Sequence, residues 1–304
     1  MNKIDLFIAG VQKSGSTSLY QYLVQHPDLL SHPQKEMTFF YNDDEYAQGY
    51  ESAFQRYFHN ASEVEYKKVM AKHILVLSSR KALDRLWAHN PESKLVVVLR
   101  DPISRAYSAY WYARRLGREG RTTFEQAIAD EIKKIYTGAE NNLDMAYLYG
   151  GQYSDHLRYA MSLFPRESIH VYTTDRLRNF ATQICNDLFA SIKLCPHPVQ
   201  ATYTHNEFAM ARSEYLAKAF DAFMRSKLRK AIRRCLPDRL SYRMRYAFWA
   251  LNEKKAPQPP MKLETRLMLQ EYFSSYNREL AQMLEVNEDE LWSSSSNKSV
   301  QNSI

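Results

Sequence analysis

The stretch Asp5-Leu6-Phe7-Ile8-Ala9-Gly10-Val11-Gln12-Lys13-Ser14-Gly15-Ser16-Thr17-Ser18-Leu19 decides the fold. Asp5 to Ala9 reads as a short buried strand and Ser16 to Gln25 as a helix that stops near Pro27, with two glycines in the turn between them. In a strand, loop and helix of this kind, consecutive backbone N–H groups and the start of the helix bind phosphate. A plainer use of the same residues is a tight turn with Ser16 as helix cap. A lysine between two glycines, followed by three hydroxyl residues, is more than a cap requires.

The glycine spacing, G-x-x-x-x-G, is that of a Walker A loop, in which a lysine follows the second glycine. This chain has Ser16 there, and its lysine sits earlier, at Lys13. The displacement argues against an ordinary NTPase. Lys94 to Leu99 is a second strand, whose Val96-Val97-Val98 run suits a parallel strand buried on both faces. Arg100 follows it, a poor ligand for Mg²⁺, although Asp101 keeps a metal reading open. Pro102 opens a helix read over Ser104 to Leu116, and Ser168 to Tyr172 is a third strand. Strands alternating with helices imply an α/β, P-loop-like three-layer fold with a central parallel sheet flanked by helices.

Of 304 residues, 45% are hydrophobic and 25% charged, globular values that exclude wholesale disorder. Eight glycines, where an average chain of this length carries about 21, exclude collagen-like and Gly-rich sequences. Cys185, Cys195 and Cys235 form no C-x-x-C pair, and no metal-ligand histidine spacing appears. A reducing, cytoplasmic setting is expected, since no apolar run approaches the ~20 residues of a membrane span and no secretory leader is visible.

The net charge of +7 is local. Arg225, Lys227, Arg229, Lys230, Arg233, Arg234, Arg239, Arg243 and Arg245 face one acid, Asp238, so 225–245 carries +8 and the remainder −1. Leu216, Phe220, Phe223, Met224, Leu228, Ile232 and Cys235 give the segment the stripe of an amphipathic helix ending before Pro237. A solvated face is one use of such a segment; a dock for an anionic surface or polymer is the other. Ala256-Pro257-Gln258-Pro259-Pro260 reads as a stiff linker into a last helix over Leu263 to Leu284. One domain over 1–292 is expected, including the basic helical segment 216–245, with a disordered polar tail at 293–304.

The loop Gly10 to Leu19 resembles the 5′-phosphosulfate loop of the sulfotransferases that use 3′-phosphoadenosine 5′-phosphosulfate. Val98-Leu99-Arg100-Asp101-Pro102-Ile103-Ser104-Arg105-Ala106-Tyr107-Ser108 resembles their 3′-phosphate motif, which implies that Arg100 and Ser108 hold that phosphate. Lys35-Glu36-Met37-Thr38-Phe39-Phe40 is similar to a stretch of the glycan-modifying branch, similar also to the heparan sulfate sulfotransferases, which implies Glu36 as catalytic base. Gly151-Gln152-Tyr153, Asn206 to Arg212 and Tyr272 to Leu280 are further matches, so the resemblance spans roughly residues 5 to 292.

The chain departs from that branch at Thr38, where histidine is frequent, and at Met70-Ala71-Lys72, where Gly-Glu-Lys is frequent and only Lys72 is retained. The late Lys-Gly element of the nucleotide pocket has no clear counterpart, and Arg212 is assigned in its place. The resemblance thus implies Glu36, Lys13 and Lys72 as catalytic residues, and Lys13, Ser14, Gly15, Ser16, Thr17, Ser18, Arg100, Ser108 and Arg212 as nucleotide contacts. It implies 3′-phosphoadenosine 5′-phosphosulfate as co-substrate, adenosine 3′,5′-bisphosphate as product, and a glycan hydroxyl or amine as acceptor. No metal and no nucleic-acid partner are expected, because fixed cations serve a sulfuryl group that carries less charge than a phosphoryl group. Two other functions fit part of the sequence: a P-loop small-molecule kinase using ATP and Mg²⁺, and a non-catalytic binder of anionic polymer or membrane through 225–245. His73 and His205 are the reserve acid–base candidates.

Overall fold

The computed structural model describes residues 2–33, 36–59, 61, 64–137, 142–201, 209–226, 247–248 and 251–292. These fall into two compact units, one built from 1–105, 149–204 and 269–304, the other from 106–148 and 205–268.

The first unit holds a five-stranded sheet: β1 (Leu6–Gly10), β2 (Leu29–Leu30), β3 (Lys68–Lys72), β4 (Lys94–Leu99) and β5 (Ile169–Thr173), in the order β2-β3-β1-β4-β5. Every pairing is parallel, with Ile8 opposite both Lys72 and Val96, and Val97 opposite Val171. Side chains of a strand alternate between faces. Phe7, Ala9, Leu95, Val97, Leu99 and Val171 therefore enter one core. Leu6, Ile8, Val96, Val98 and Tyr172 enter the other.

Of the helices, α1 (Ser16–Leu23) lies over the second core; α2 (Asp43–Ala47) is exposed; α3 (Tyr50–Tyr57) and α4 (Arg80–His89) lie over the first. Two covered faces explain why β4 is apolar at five consecutive positions, each burial adding about 1.5–3 kcal/mol. The three-layer α/β arrangement expected from the sequence is present.

The boundaries move for local reasons. Helix α1 ends at Leu23 rather than Gln25, because the N–H groups of Gln25 and His26 turn to the carbonyls of Tyr22 and Leu23, and Pro27 disfavours helix at His26. Helix α5 (Pro102–Arg115) starts two residues early, at Pro102, since the Asp101 carboxylate accepts the Ser104 N–H at 2.9 Å and caps it. β3, flanked by Lys68 and Lys72, is a strand the sequence reading did not assign.

Helix α5 continues into the second unit, which also contains α6 (Phe124–Thr137). The first unit then adds α7 (Tyr153–Leu163), α8 (Thr174–Asn179) and α9 (Ala181–Ser191). The second adds the antiparallel pair β6 (Ala209–Ala211) and β7 (Glu253–Lys255), with α10 (Glu214–Arg225) between them. Helix α11 (Leu263–Met283) ends one residue before the expected Leu284.

In the second unit, buried Glu119 accepts the Tyr147 hydroxyl at 2.7 Å, and Glu131 accepts the N–H groups of Tyr147 and Leu148 at 2.7 and 2.9 Å. Gly117, at φ +69°, lies so close to Ala217 that an added Cβ would stand 2.4 Å from its carbonyl carbon. The amphipathic helix expected as far as Cys235 leaves helical geometry at Ser226, whose hydroxyl donates to the Phe223 carbonyl at 2.7 Å. Most of the basic stretch, 227–245, and the tail 293–304 lie outside the described residues. Among the described residues no helix is long and apolar enough to cross a membrane.

Candidate active site

In an open parallel sheet, ligands bind beyond the carboxyl ends of the strands where the strand order reverses. Here that point is the end of β1, between β3 and β4. The loop leaving it carries φ values of +149° at Gly10, +71° at Lys13 and +95° at Gly15. Gly10 is required sterically as well, since a Cβ there would lie 2.9 Å from the Ile74 carbonyl oxygen.

The loop is held by its carbonyls. The Arg100 Nη1 donates to the Lys13 carbonyl at 3.2 Å. The Thr174 hydroxyl lies 2.8 Å from the Ser14 carbonyl and 3.0 Å from that of Leu99. The Val11 N–H donates to Val98 at 2.9 Å. Helix α1 then begins at Ser16 with Gly15 at its N-cap and no side chain capping it. Its first N–H groups and the positive end of its dipole face the loop.

Ser14 is fully buried, and its hydroxyl has no hydrogen-bond partner among the described residues. An orphaned buried donor at an uncapped helix start suits an anion's oxygen, so this loop fits the phosphosulfate of the expected nucleotide. Ser16 is buried beside it; Thr17, Ser18 and Lys13 are half-buried.

Beside the loop, β3 ends in Lys72, whose side chain is 1% exposed and whose ammonium bonds the Glu36 Oε1 at 2.9 Å. The Ile74 N–H donates to the Glu36 Oε2 at 3.0 Å, and the Met37 N–H to the Lys72 carbonyl at 2.8 Å. The Lys72 Nζ also stands 5.7 Å from the centre of the Tyr20 ring on α1. Burial pushes the Tyr20 phenol up to about 12. Its hydroxyl donates to the His32 carbonyl and accepts the His32 N–H at 3.0 Å. Lysine at a strand end reads in sequence as solvated; here it is interior, which only knowledge of the neighbouring carboxylate would reveal.

His73 follows Lys72, with its ring stacked on Tyr41 at 5.0 Å between centres. Burial and the adjacent Lys72 charge push the imidazole down to about 3, which makes it a poor proton acceptor in neutral solution. The other reserve base, His205, lies outside the described residues, as does Lys35.

Arg100 is half-buried at the end of β4, and its carbonyl accepts the Tyr153 hydroxyl at 2.9 Å. Gln152 donates to the Tyr272 and Tyr276 hydroxyls at 2.8 and 3.1 Å, and a Cβ on Gly151 would press on Phe273 at 2.8 Å. Two stretches singled out in sequence, 151–153 and 272–280, therefore pack together behind Arg100. The Asp101 carboxylate is engaged in capping α5. No group of three or more His, Cys, Asp or Glu residues able to hold a metal occurs among the described residues.

The first unit thus brings Lys13 to Ser18, Arg100, Glu36 and Lys72 to the carboxyl ends of its central strands. Ser108 and Arg212 belong to the second unit. Ser108 is half-buried on α5; Arg212 is exposed after β6, its N–H donating to the Asn252 carbonyl. Sequence reasoning missed Thr174 and the Ile74 amide. A backbone donor leaves no residue-type signal, whereas the apolar Val69-Met70-Ala71 run was a readable sign of β3.

A family model described as a sulfotransferase domain matches residues 3–256. The bifunctional heparan sulfate N-deacetylase/N-sulfotransferase 3 of Homo sapiens is 24% identical over 286 residues, 91% of this chain and 29% of that protein. The chain thus spans less than a third of that relative's length. Heparan sulfate glucosamine 3-O-sulfotransferase 5 of Mus musculus is 28% identical over 179 residues, 56% of this chain and 47% of that one. Among solved structures, a sulfotransferase from Alicyclobacillus acidocaldarius superposes with a TM-score of 0.66 at 20% identity, covering 94% of this chain and 98% of that one, a likeness of fold.

Proposed function

The chain belongs to the sulfotransferase domain family, and we propose that it moves a sulfuryl group from 3′-phosphoadenosine 5′-phosphosulfate to a hydroxyl or amine of a carbohydrate. The observation that carries this reading is the adjacency of two features at the ends of neighbouring strands: an uncapped helix start after β1, with a buried hydroxyl unpartnered among the described residues, and the Glu36 carboxylate held by Lys72 at the end of β3. The glycan acceptor draws further support from the heparan sulfate sulfotransferases among its relatives.

In such a transfer the sulfur–oxygen bond to the nucleotide phosphate breaks as a bond from the acceptor oxygen or nitrogen to sulfur forms. The acceptor's proton must leave. By analogy with phosphoryl transfer, a loose transition state leaves the protein mainly positioning and electrostatic work. Lys13 and the first N–H groups of α1 stabilise charge growing on the leaving phosphate. Arg100 binds the 3′-phosphate side of the nucleotide. Glu36 accepts the acceptor's proton. Lys72 neutralises Glu36 and holds it in place before the acceptor arrives. Lys13, Arg100 and the loop amides provide a fixed positive field, so the reaction needs no divalent metal.

The test is transfer of radiolabelled sulfate from the nucleotide to desulfated heparin-type glycans in the presence of EDTA. Label in the glycan is the expected result. Failure of every glycan, together with Mg²⁺-dependent turnover of ATP, would replace this reading with the kinase.

A further inference from the structure

Glu36 lies outside any helix or strand, yet its carboxylate accepts from donors of different kinds. Lys72 Nζ, on Oε1, is carried on a four-carbon stem with several torsions. The Ile74 N–H, on Oε2, belongs to a main chain that cannot swing. Its flanks are tied to β1: the His73 N–H donates to Ile8 at 3.0 Å and the Leu77 N–H to Ala9 at 3.0 Å, with the Val76 N–H turning back to His73 at 3.2 Å. On its other side the Ile74 carbonyl is packed against Gly10, the first residue of the phosphate loop, at the limit that a hydrogen in place of Cβ allows.

We infer that the main-chain amide of Ile74 is a positioning group for the base: it anchors Oε2 of Glu36 and so aims the carboxylate that takes the acceptor's proton. This rests on the reading of Glu36 as base. It gives Gly10 a second duty. Besides shaping the loop, Gly10 packs against the carbonyl of the residue whose N–H aims the carboxylate, and so ties the base to the element that binds the nucleotide. A hydrogen bond to a carboxylate favours the charged form, so the Ile74 amide also keeps Glu36 ready as a base.

The direct test needs no acceptor. In the labelled full-length protein, the Ile74 amide proton resonance should move with pH along the same curve as the Glu36 carboxyl carbon, and this dependence should vanish in Glu36→Gln. An Ile74 amide indifferent to pH in the wild type, or moving identically in Glu36→Gln, overturns the inference. A second variant replaces residue 74 by its α-hydroxy acid, which deletes the N–H and keeps the side chain. There kcat should fall about 10–100-fold with nucleotide affinity unchanged, and the acidic limb of kcat/KM should move to higher pH. An unchanged limb and kcat would also overturn it. Should Glu36→Gln itself retain full transfer, the base assignment falls, an outcome separate from the amide titration because the latter is read without turnover.

Discussion

Two lysines end up one strand apart in this protein and do different work. Lys13 sits half-buried in a loop whose carbonyls are tied back by Arg100 and Thr174, beside an uncapped helix start and an orphaned buried hydroxyl. Lys72 is interior, against a carboxylate that also accepts a main-chain N–H. The first region presents a helix start and a buried hydroxyl; the second pairs a buried cation with a carboxylate. Loss of a residue in the first should therefore be felt in nucleotide binding, and loss in the second in the chemical step or in stability.

The largest effect expected lies in the second region. Glu36→Gln keeps the shape and removes the proton acceptor, so kcat should fall by roughly 10²–10⁴ with little change in nucleotide affinity. Steady-state kinetics beside a nucleotide titration checks both halves; a fall confined to nucleotide affinity would merge the two regions into one. Next come the cations of the first region. Lys13→Ala and Arg100→Ala should each weaken adenosine 3′,5′-bisphosphate by about 1.5–3 kcal/mol, the range for hydrogen bonds to charged groups. Calorimetric titration reads this directly, and wild-type affinity in both variants would remove the loop from the site.

Lys72→Met sharpens the contrast through stability. Removing one partner of a fully buried pair costs about 3–5 kcal/mol. Glu36 is 18% exposed and keeps the Ile74 N–H, so the loss should be smaller, about 1–3 kcal/mol. A lower denaturation midpoint with unchanged slope would show it. The smallest effect at neutral pH concerns His73. Its imidazole is near 6.5 in the unfolded chain and about 3 when folded, so below pH 6.5 the unfolded chain binds a proton that the folded one does not. Stability is complete above that value and is lost as pH falls toward about 3. His73→Phe, which retains a ring to stack on Tyr41, should flatten this slope in pH-dependent melting. Some slope should remain, because burial pushes His156 and His170 down to about 4.

How far each region was legible in the sequence follows the same division. The loop is written in adjacent residues: strand, glycine, lysine, glycine and hydroxyls lie within fifteen positions, and β4 with Arg100 is equally local. The second region is assembled by the sheet. Glu36 and Lys72 are brought together by the parallel pairing of β2 with β3 and by the Met37 N–H on the Lys72 carbonyl, which no local pattern announces, and the Ile74 donor is a backbone group common to nearly every residue. Resemblance to a family singled out Glu36 and Lys72 one at a time; only the fold shows them as a pair. Helix lengths went astray where a single residue overruled periodicity, as Ser226 does at the end of α10.

The claim on which the rest depends is that the loop after β1 is a site for a 3′-phosphorylated adenine nucleotide. A ligand that binds only the folded protein raises its melting temperature, the stabilisation growing with the logarithm of ligand concentration over Kd. Wild-type protein melted with adenosine 3′,5′-bisphosphate in EDTA should be stabilised by several degrees, and ATP with Mg²⁺ should stabilise it much less. Equal or greater stabilisation by ATP with Mg²⁺, or none by the bisphosphate, would contradict the account at its base.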